Sequence, residues 1–499
     1  MNITDVIRRN SHAFPERVAL VCNGQSLTYD GLRTVVDQVA TQMALAGVQA
    51  GESVGVAVEN PAGYLVTALA LAHLGAVVTP FRAARVLALR QALVARHALK
   101  SVVLDPDSTA LLQEHPALRP LHQTALFAPL PAGTPVVPVA RGVDGQPWII
   151  ALSSGTTGVP KSIPQRHDRG ALVATLPAGQ TFAQRLLVHF DLSTSVGMNS
   201  TVRQLYAGGT VVVGDIRNDF FNVVRRDRPD QALMSTGNAL ALVKLAERAV
   251  PDSGEACASL QRIMLSGSAV SPDLRQSLVD RICSNVHVSY GSTEAGGIAT
   301  LTPEASAWPG CAGRLNPWVE AEAVDENDQP LASGQVGTLR FKTPTMVDGY
   351  LLDEKASARA FRGGWYYSGD VGSVNNAGYL FLAGRQDDLI NLGGNKLDPV
   401  GIEAVINALP GVIESAVVAV VAANDRPTLV AVVAAREPVD PKVIRQACLD
   451  QLGRQAVPQA VVFAPALPRN GGGKIMRPEA AEMARRAMSA KPAAQGASA

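Results

Sequence analysis

Apolar residues recur along this chain in two rhythms, and their alternation predicts the architecture before any chemistry is considered. Leu32, Val35, Val36, Val39 and Met43 fall on one face of a helix that Asp30 is expected to cap and Gly47 to end. Ser53 to Val58 then reads as a strand, Pro61 to Leu74 as a helix and Ala76 to Thr79 as a strand again. TVVVGD from Thr210 is strand-like, and a helix is expected around Asn238 to Arg248. A strand at Arg262 to Leu265, a helix from Pro272 and a strand closing near Ser289 follow. Strands and helices taking turns in this way predict parallel sheets covered by helices, an α/β class.

The rhythm changes after Gly384. Asp398 and Pro399 pair a capping residue with proline at a first helical position. Apolar strands are expected at Ala416 to Val421 and Thr428 to Ala434, a helix near Val443, and a further strand at Ala460 to Phe463. The expected division is a large N-terminal domain of layered sheets and helices over 1–384 and a small α+β domain over 385–487. A small, polar, disordered tail over 488–499 completes it.

A chain of 499 residues is too long for one core, which agrees with two domains. It is 47% hydrophobic and 17% charged, as ordinary globular proteins are. Forty-four basic and 43 acidic side chains leave a net charge of +1, so nothing electrostatic points to nucleic acid or an anionic membrane; a small substrate is expected. The cysteines (Cys22, Cys257, Cys283, Cys311 and Cys448) are scattered without a CxxC pair, which argues against a disulfide framework or structural zinc and fits a reducing cytoplasm. The opening MNITDVIRRNSHAF lacks the apolar core of a signal peptide. Pro61 to Phe81 carries no Asp, Glu, Lys or Arg, but His73, Gly75 and Pro80 interrupt it, so it reads as a buried helix and a strand rather than a membrane span.

The strongest chemical signal is WIIALSSGTTGVPK, where an apolar strand runs into Ser153, Ser154, Gly155, Thr156, Thr157, Gly158, Val159, Pro160 and Lys161. Glycines let the backbone bring its N–H groups close to an anion, hydroxyls add donors and the lysine adds a point charge. Such a loop is built to hold phosphate oxygens. It differs from the loop of P-loop kinases, which needs glycine where Pro160 stands.

SSGTTGVPK resembles the signature loop of the adenylate-forming superfamily, which includes acyl-CoA synthetases, aryl-acid ligases, nonribosomal-peptide adenylation domains and luciferases. Four more segments resemble that family's motifs in the same order: HVSYGSTEAG from His287, WYYSGDVG from Trp365, GRQDDLINLGGNKLDPVGIE from Gly384 and PRNGGGKIMRPE from Pro468. The resemblance implies an enzyme that adenylates a carboxylic acid with ATP, releases pyrophosphate and transfers the acyl group to a thiol. Because acid and ATP are both anions, such a site must neutralise charge on the reactants and the departing pyrophosphate.

The resemblance also assigns roles. It puts the Ser153 to Lys161 loop on the β- and γ-phosphates, Tyr290 against the adenine face and Thr293 at the α-phosphate, with Gly291 also among the ATP-binding residues. Glu294 would hold Mg²⁺, a hard cation suited to a carboxylate and phosphate oxygens. Asp370 would accept from the ribose hydroxyls with Arg385 assisting, and Ser268 and Ala269 would line the adenine pocket. Lys474, after Gly471, Gly472 and Gly473, would bridge the carboxylate and the α-phosphate during adenylation. The small domain is implied to be mobile, swinging at Asp387 and alternately presenting Lys474 or the Asn391 to Lys396 segment. Gly393 and Gly394 of that segment would pass the pantetheine arm of CoA or of a separate phosphopantetheinyl carrier protein.

The acid pocket is less regular. Aligning the segment around LVHFDLSTSVGMNS places Thr194 where many relatives carry a His or aromatic gate, and Asn199 nearby. His189 is expected to pack near a strand end. Phe190, Asp191, Leu192 and Ser193 also resemble the FDxS of amino-acid-activating domains, whose aspartate binds an α-amino group. An aryl acid (hydroxybenzoate-like acids among them) or a short-to-medium aliphatic acid is the preferred substrate, a stand-alone amino-acid-adenylating enzyme the alternative. A noncatalytic descendant would be expected to lose Lys474, Glu294 or Asp370, and all three are present. Fold and motifs do not determine the acceptor, so one other than a thiol stays open.

Overall fold

The computed structural model describes residues 1–82, 87–153, 160–176, 183–214, 216, 219–249, 253–386, 390–392, 395–397, 399–421, 427–469 and 475–489. Pro61–His73 is a helix whose entry is set by Asn60, the side chain of which accepts from Gly63 N at 2.9 Å. From Gly63 onward every residue of it is buried, which explains the absence of charge in that stretch. Among the described residues no helix is long and apolar enough to cross a membrane.

Two sheets form the large domain. The smaller one orders Arg119–His122, Ser101–Leu104, Ser53–Ala57, Val77–Pro80, Pro147–Leu152 and Ser162–Arg166 side by side. All neighbours in it are parallel except the last pair. The larger sheet starts with an antiparallel edge strand, Gln25–Thr28, and then runs in parallel from Val18–Cys22 through Thr210–Val213, Arg185–His189, Gln231–Ser235 and Arg262–Ser266 to Val286–Ser292. It then continues as antiparallel strands: Gly296–Leu301, Cys311–Leu315, Tyr379–Arg385, Trp365–Val374, Gly337–Lys342 and Glu320–Val324. The sequence reading passed over this antiparallel half, whose hairpin-linked strands lack the crossover helices that announce parallel ones.

The helix expected after Asp30 spans Tyr29–Leu45, but its cap is Thr28, whose side chain accepts from Gly31 N at 3.0 Å. Asp30 instead lies in the first turn and pairs with Arg33. Asp398, the other expected cap, lies outside the described residues.

In the small domain Val412–Val421, Pro427–Ala435 and Ala460–Phe463 form a sheet. Val417, Leu429, Ala431 and Val433 pack toward helices Pro399–Asn407 and Pro441–Leu452, while Ala416, Val418, Val430 and Val432 pack toward Arg477–Ser489. Period-two strands with both faces covered account for its near-continuous apolar sequence. Its Arg436 donates to Ser277 Oγ of helix Pro272–Arg281 at 2.8 Å, tying it to the large domain. Two expected divisions shift. Arg385 belongs to a strand of the large sheet, and the last helix runs to Ser489, past the expected start of the tail.

Candidate active site

Leu152 and Ser162 face each other in an antiparallel pair, so the phosphate-type loop leaves and re-enters the sheet at one place. Its base is clasped: Ser153 N donates to Lys161 O at 3.0 Å, and Lys161 N donates to Ser153 Oγ at 3.2 Å. Arg96 donates to Pro160 O at 3.0 Å, and His97 Nε2 lies 2.9 Å from the buried Ser162 hydroxyl. Ser154, Gly155, Thr156, Thr157 and Gly158 lie outside the described residues. Lys161 holds its ammonium 4.5 Å from the centre of the Tyr350 ring.

The Val286–Ser292 strand ends the parallel run and carries Tyr290 beside Asp370. The Tyr290 hydroxyl donates to Asp370 Oδ2, Arg385 donates to Oδ1 at 2.8 Å, and the second arm of the guanidinium donates to Ser368 O at 3.2 Å. Burial above all, with the Asp370 charge next, holds the Tyr290 phenol well above its usual range, so it stays a donor. An ionised carboxylate has about four acceptor positions, so Asp370 keeps capacity for ribose hydroxyls. Gly291 packs so closely on the next strand that a Cβ there would lie 2.3 Å from Gly296 O.

At the turn that follows, Gln165 donates to Thr293 O at 3.3 Å and Val347 N to Glu294 O at 2.8 Å. The Glu294 side chain is buried, and Tyr350 donates its hydroxyl to Oε1 at 3.0 Å. Burial first, and Glu294 next, raise the Tyr350 phenol above its ordinary range. Ser268 and Ala269 follow strand Arg262–Ser266, and Thr236 Oγ1 donates to Ser268 O at 3.2 Å. Among the described residues no cluster of three or more His, Cys, Asp or Glu could hold a metal by itself. One buried carboxylate suits a hard cation whose other ligands are phosphate oxygens and water, so Glu294 fits Mg²⁺ arriving with a nucleotide.

The acid-pocket candidates are tied to local structure. Thr194 accepts from Gly197 N at 3.2 Å and donates to Asp191 O at 2.6 Å, which makes it the cap of helix Ser195–Tyr206. Asn199 donates to Ser195 Oγ at 3.1 Å. Asp191 Oδ1 accepts from Ser193 N at 2.8 Å and from Arg82 at 2.9 Å. His189 ends its strand with its ring 6.1 Å from that of Phe220, the packing position expected of it. Lys474, Asp387, Gly393 and Gly394 lie outside the described residues.

The sequence pattern of the AMP-binding enzyme family matches residues 7–351, and that of the AMP-binding enzyme C-terminal domain matches residues 401–474. The chain belongs to the AMP-binding enzyme family. It is accordingly an AMP-forming, acid-activating enzyme, the class its ordered motifs imply. A 2-succinylbenzoate–CoA ligase of Bacillus licheniformis is 26% identical over 94% of this chain and 98% of the relative. An indoleacetate–CoA ligase of Aromatoleum aromaticum is 27% identical over 97% of this chain and 99% of the relative. Among solved structures, the amide bond synthetase McbA from Marinactinospora thermotolerans superposes with a TM-score of 0.84 and 25% identity, covering 97% of this chain and all (100%) of that one.

Within this candidate site, sequence reasoning missed Tyr350, Arg96 and His97. None stands in the five motif segments. Tyr350 lies in VDGYLLDEK, far from both partners in sequence, and only the fold brings it to Lys161 and Glu294.

Proposed function

We propose that this protein adenylates a small carboxylic acid with ATP and Mg²⁺, releases pyrophosphate, and passes the acyl group to the thiol of CoA. The observation that carries the reading is the convergence of Tyr290 and Arg385 on the Asp370 carboxylate, with the Glu294 turn beginning three residues after Tyr290 and Tyr350 joining it to Lys161. The first group suits adenosine and the second a triphosphate with its cation. The site residues would divide the work accordingly. Lys161 neutralises phosphate charge, Glu294 orients the cation, Asp370 with Arg385 fixes the ribose, and Lys474 meets the charge developing between acid and α-phosphate.

An aryl acid with hydrogen-bonding substituents is the favoured substrate. Ser235 and Ser266 end two adjacent parallel strands, with Ser289 in register on the third, on the side where α/β sheets bind ligands. The amino-acid alternative has less support, because Asp191 is already engaged by Arg82, which it shares with Glu59, and by Ser193 N. A separate carrier protein is the second thiol donor to test.

The test is ATP–pyrophosphate exchange across aryl, aliphatic and amino acids, with Lys474→Ala as control, followed by thioester detection with CoA or a carrier protein. Exchange with aryl acids that collapses in the variant, and a CoA thioester, are expected. No exchange with any acid would overturn the reading. Exchange without thioester would move the acceptor to an amine, the outcome favoured by the likeness to an amide bond synthetase.

A further inference from the structure

Lys161 stands just before a strand of the smaller sheet and Glu294 in a turn between two strands of the larger one, and one side chain touches both. Tyr350 is buried, donates its hydroxyl to Glu294 Oε1 at 3.0 Å and offers its ring face to the Lys161 ammonium at 4.5 Å. The segment carrying it is sewn to both neighbours. Leu351 N donates to Ser162 O at 2.8 Å, one residue beyond Lys161, and Val347 N donates to Glu294 O at 2.8 Å. Thr343 and Thr345 donate to Ala295 O at 2.7 and 3.0 Å. The Tyr350 ring is braced in turn, edge-on to Phe361 with centroids 5.5 Å apart, and its N–H donates to Ser357 Oγ at 2.8 Å.

An ammonium and a carboxylate left together in a cleft would pair and neutralise each other. A phenol satisfies both while holding them apart, because its π face attracts the cation and its hydroxyl donates to the anion. We propose that Tyr350 is a positioning residue that spaces Lys161 from Glu294, so that triphosphate and divalent cation are bound as one unit. The proposal rests on the adenylate-forming reading of the site and goes beyond it by naming the residue that couples its two charges.

The test is calorimetric binding of ATP without acid substrate, in Mg²⁺ and in EDTA, by the unaltered protein, Tyr350→Phe and Tyr350→Leu, with thermal unfolding alongside. Tyr350→Phe keeps the ring and loses the hydroxyl. It is expected to bind ATP as the parent does in EDTA while the affinity gained from Mg²⁺ falls about tenfold. Tyr350→Leu loses the ring as well, and is expected to bind about threefold more weakly in EDTA too. Parent-like binding by both variants under both conditions overturns the proposal. So does a Tyr350→Phe loss of equal size with and without Mg²⁺. Absence of ATP binding by the unaltered protein would overturn the underlying reading, and the proposal with it.

Discussion

Arg385 and Asp370 stand opposite each other across an antiparallel strand pair, with the guanidinium 2.8 Å from Asp370 Oδ1 and Tyr290 closing the other oxygen. Three side chains acting on one ligand group should not act independently. Arg385→Ala is expected to raise the KM for ATP about tenfold, and Tyr290→Phe to raise it less. Measured together by ATP-dependent pyrophosphate exchange, the two should depart from additivity by about 1 kcal/mol. Strict additivity would show that each meets the nucleotide separately.

Gly291 tolerates no side chain for steric rather than conformational reasons. A Cβ would approach Gly296 O to 2.3 Å, and that oxygen belongs to paired backbone that cannot swing aside. Gly291→Ala is expected to cost about 2 kcal/mol or more in urea unfolding and to abolish ATP binding by parting the strand that carries Tyr290. A variant that binds ATP with parent affinity would refute this.

His167 sets an acid limit on stability. Its Nδ1 accepts from Ile3 N at 3.1 Å, which requires the neutral ring, and burial first, with the N-terminal charge next, lowers its pKa from 6.5 to about 4. Between those values the unfolded imidazole holds a proton that the folded one refuses. Stability is therefore fully present above pH 6.5 and falls as pH drops toward 4, by about 1.4 kcal/mol per pH unit for each such histidine. Burial places His97 and His287 at about 4 as well. Denaturation profiles across this window should flatten in His167→Gln; an unchanged slope would exclude it as a contributor.

Thr28 and Asp30 make a clean comparison. Thr28→Ala removes the oxygen that accepts from Gly31 N and is expected to cost about 1 kcal/mol. Asp30→Ala removes only a partly exposed pair with Arg33 and is expected to cost less than about 0.5 kcal/mol. Equal losses in chemical denaturation would return the cap to Asp30.

Much of this was legible in the residues. Helix Pro61–His73 falls where a charge-free apolar run puts it and helix Tyr29–Leu45 where apolar periodicity does, because burial is written directly into the order and spacing of apolar side chains. The phosphate-type loop was legible for a related reason, since glycines, hydroxyls and a lysine in one short run state their own chemistry. Thr28 was passed over because two oxygen-bearing side chains stood near one helix start, and only backbone geometry chooses between them.

By itself the sequence determined which segments could be strands or helices and which local clusters carry phosphate-binding chemistry, properties set by neighbours a few residues apart. The tertiary structure alone decided that Tyr290, Asp370 and Arg385 share one carboxylate and that Tyr350 joins Lys161 to Glu294. It also decided that half of the larger sheet is antiparallel. These are pairings between residues far apart along the chain. They are selected by which hydrogen-bond register buries the most apolar surface with every buried polar group satisfied, a choice that depends on the whole fold at once.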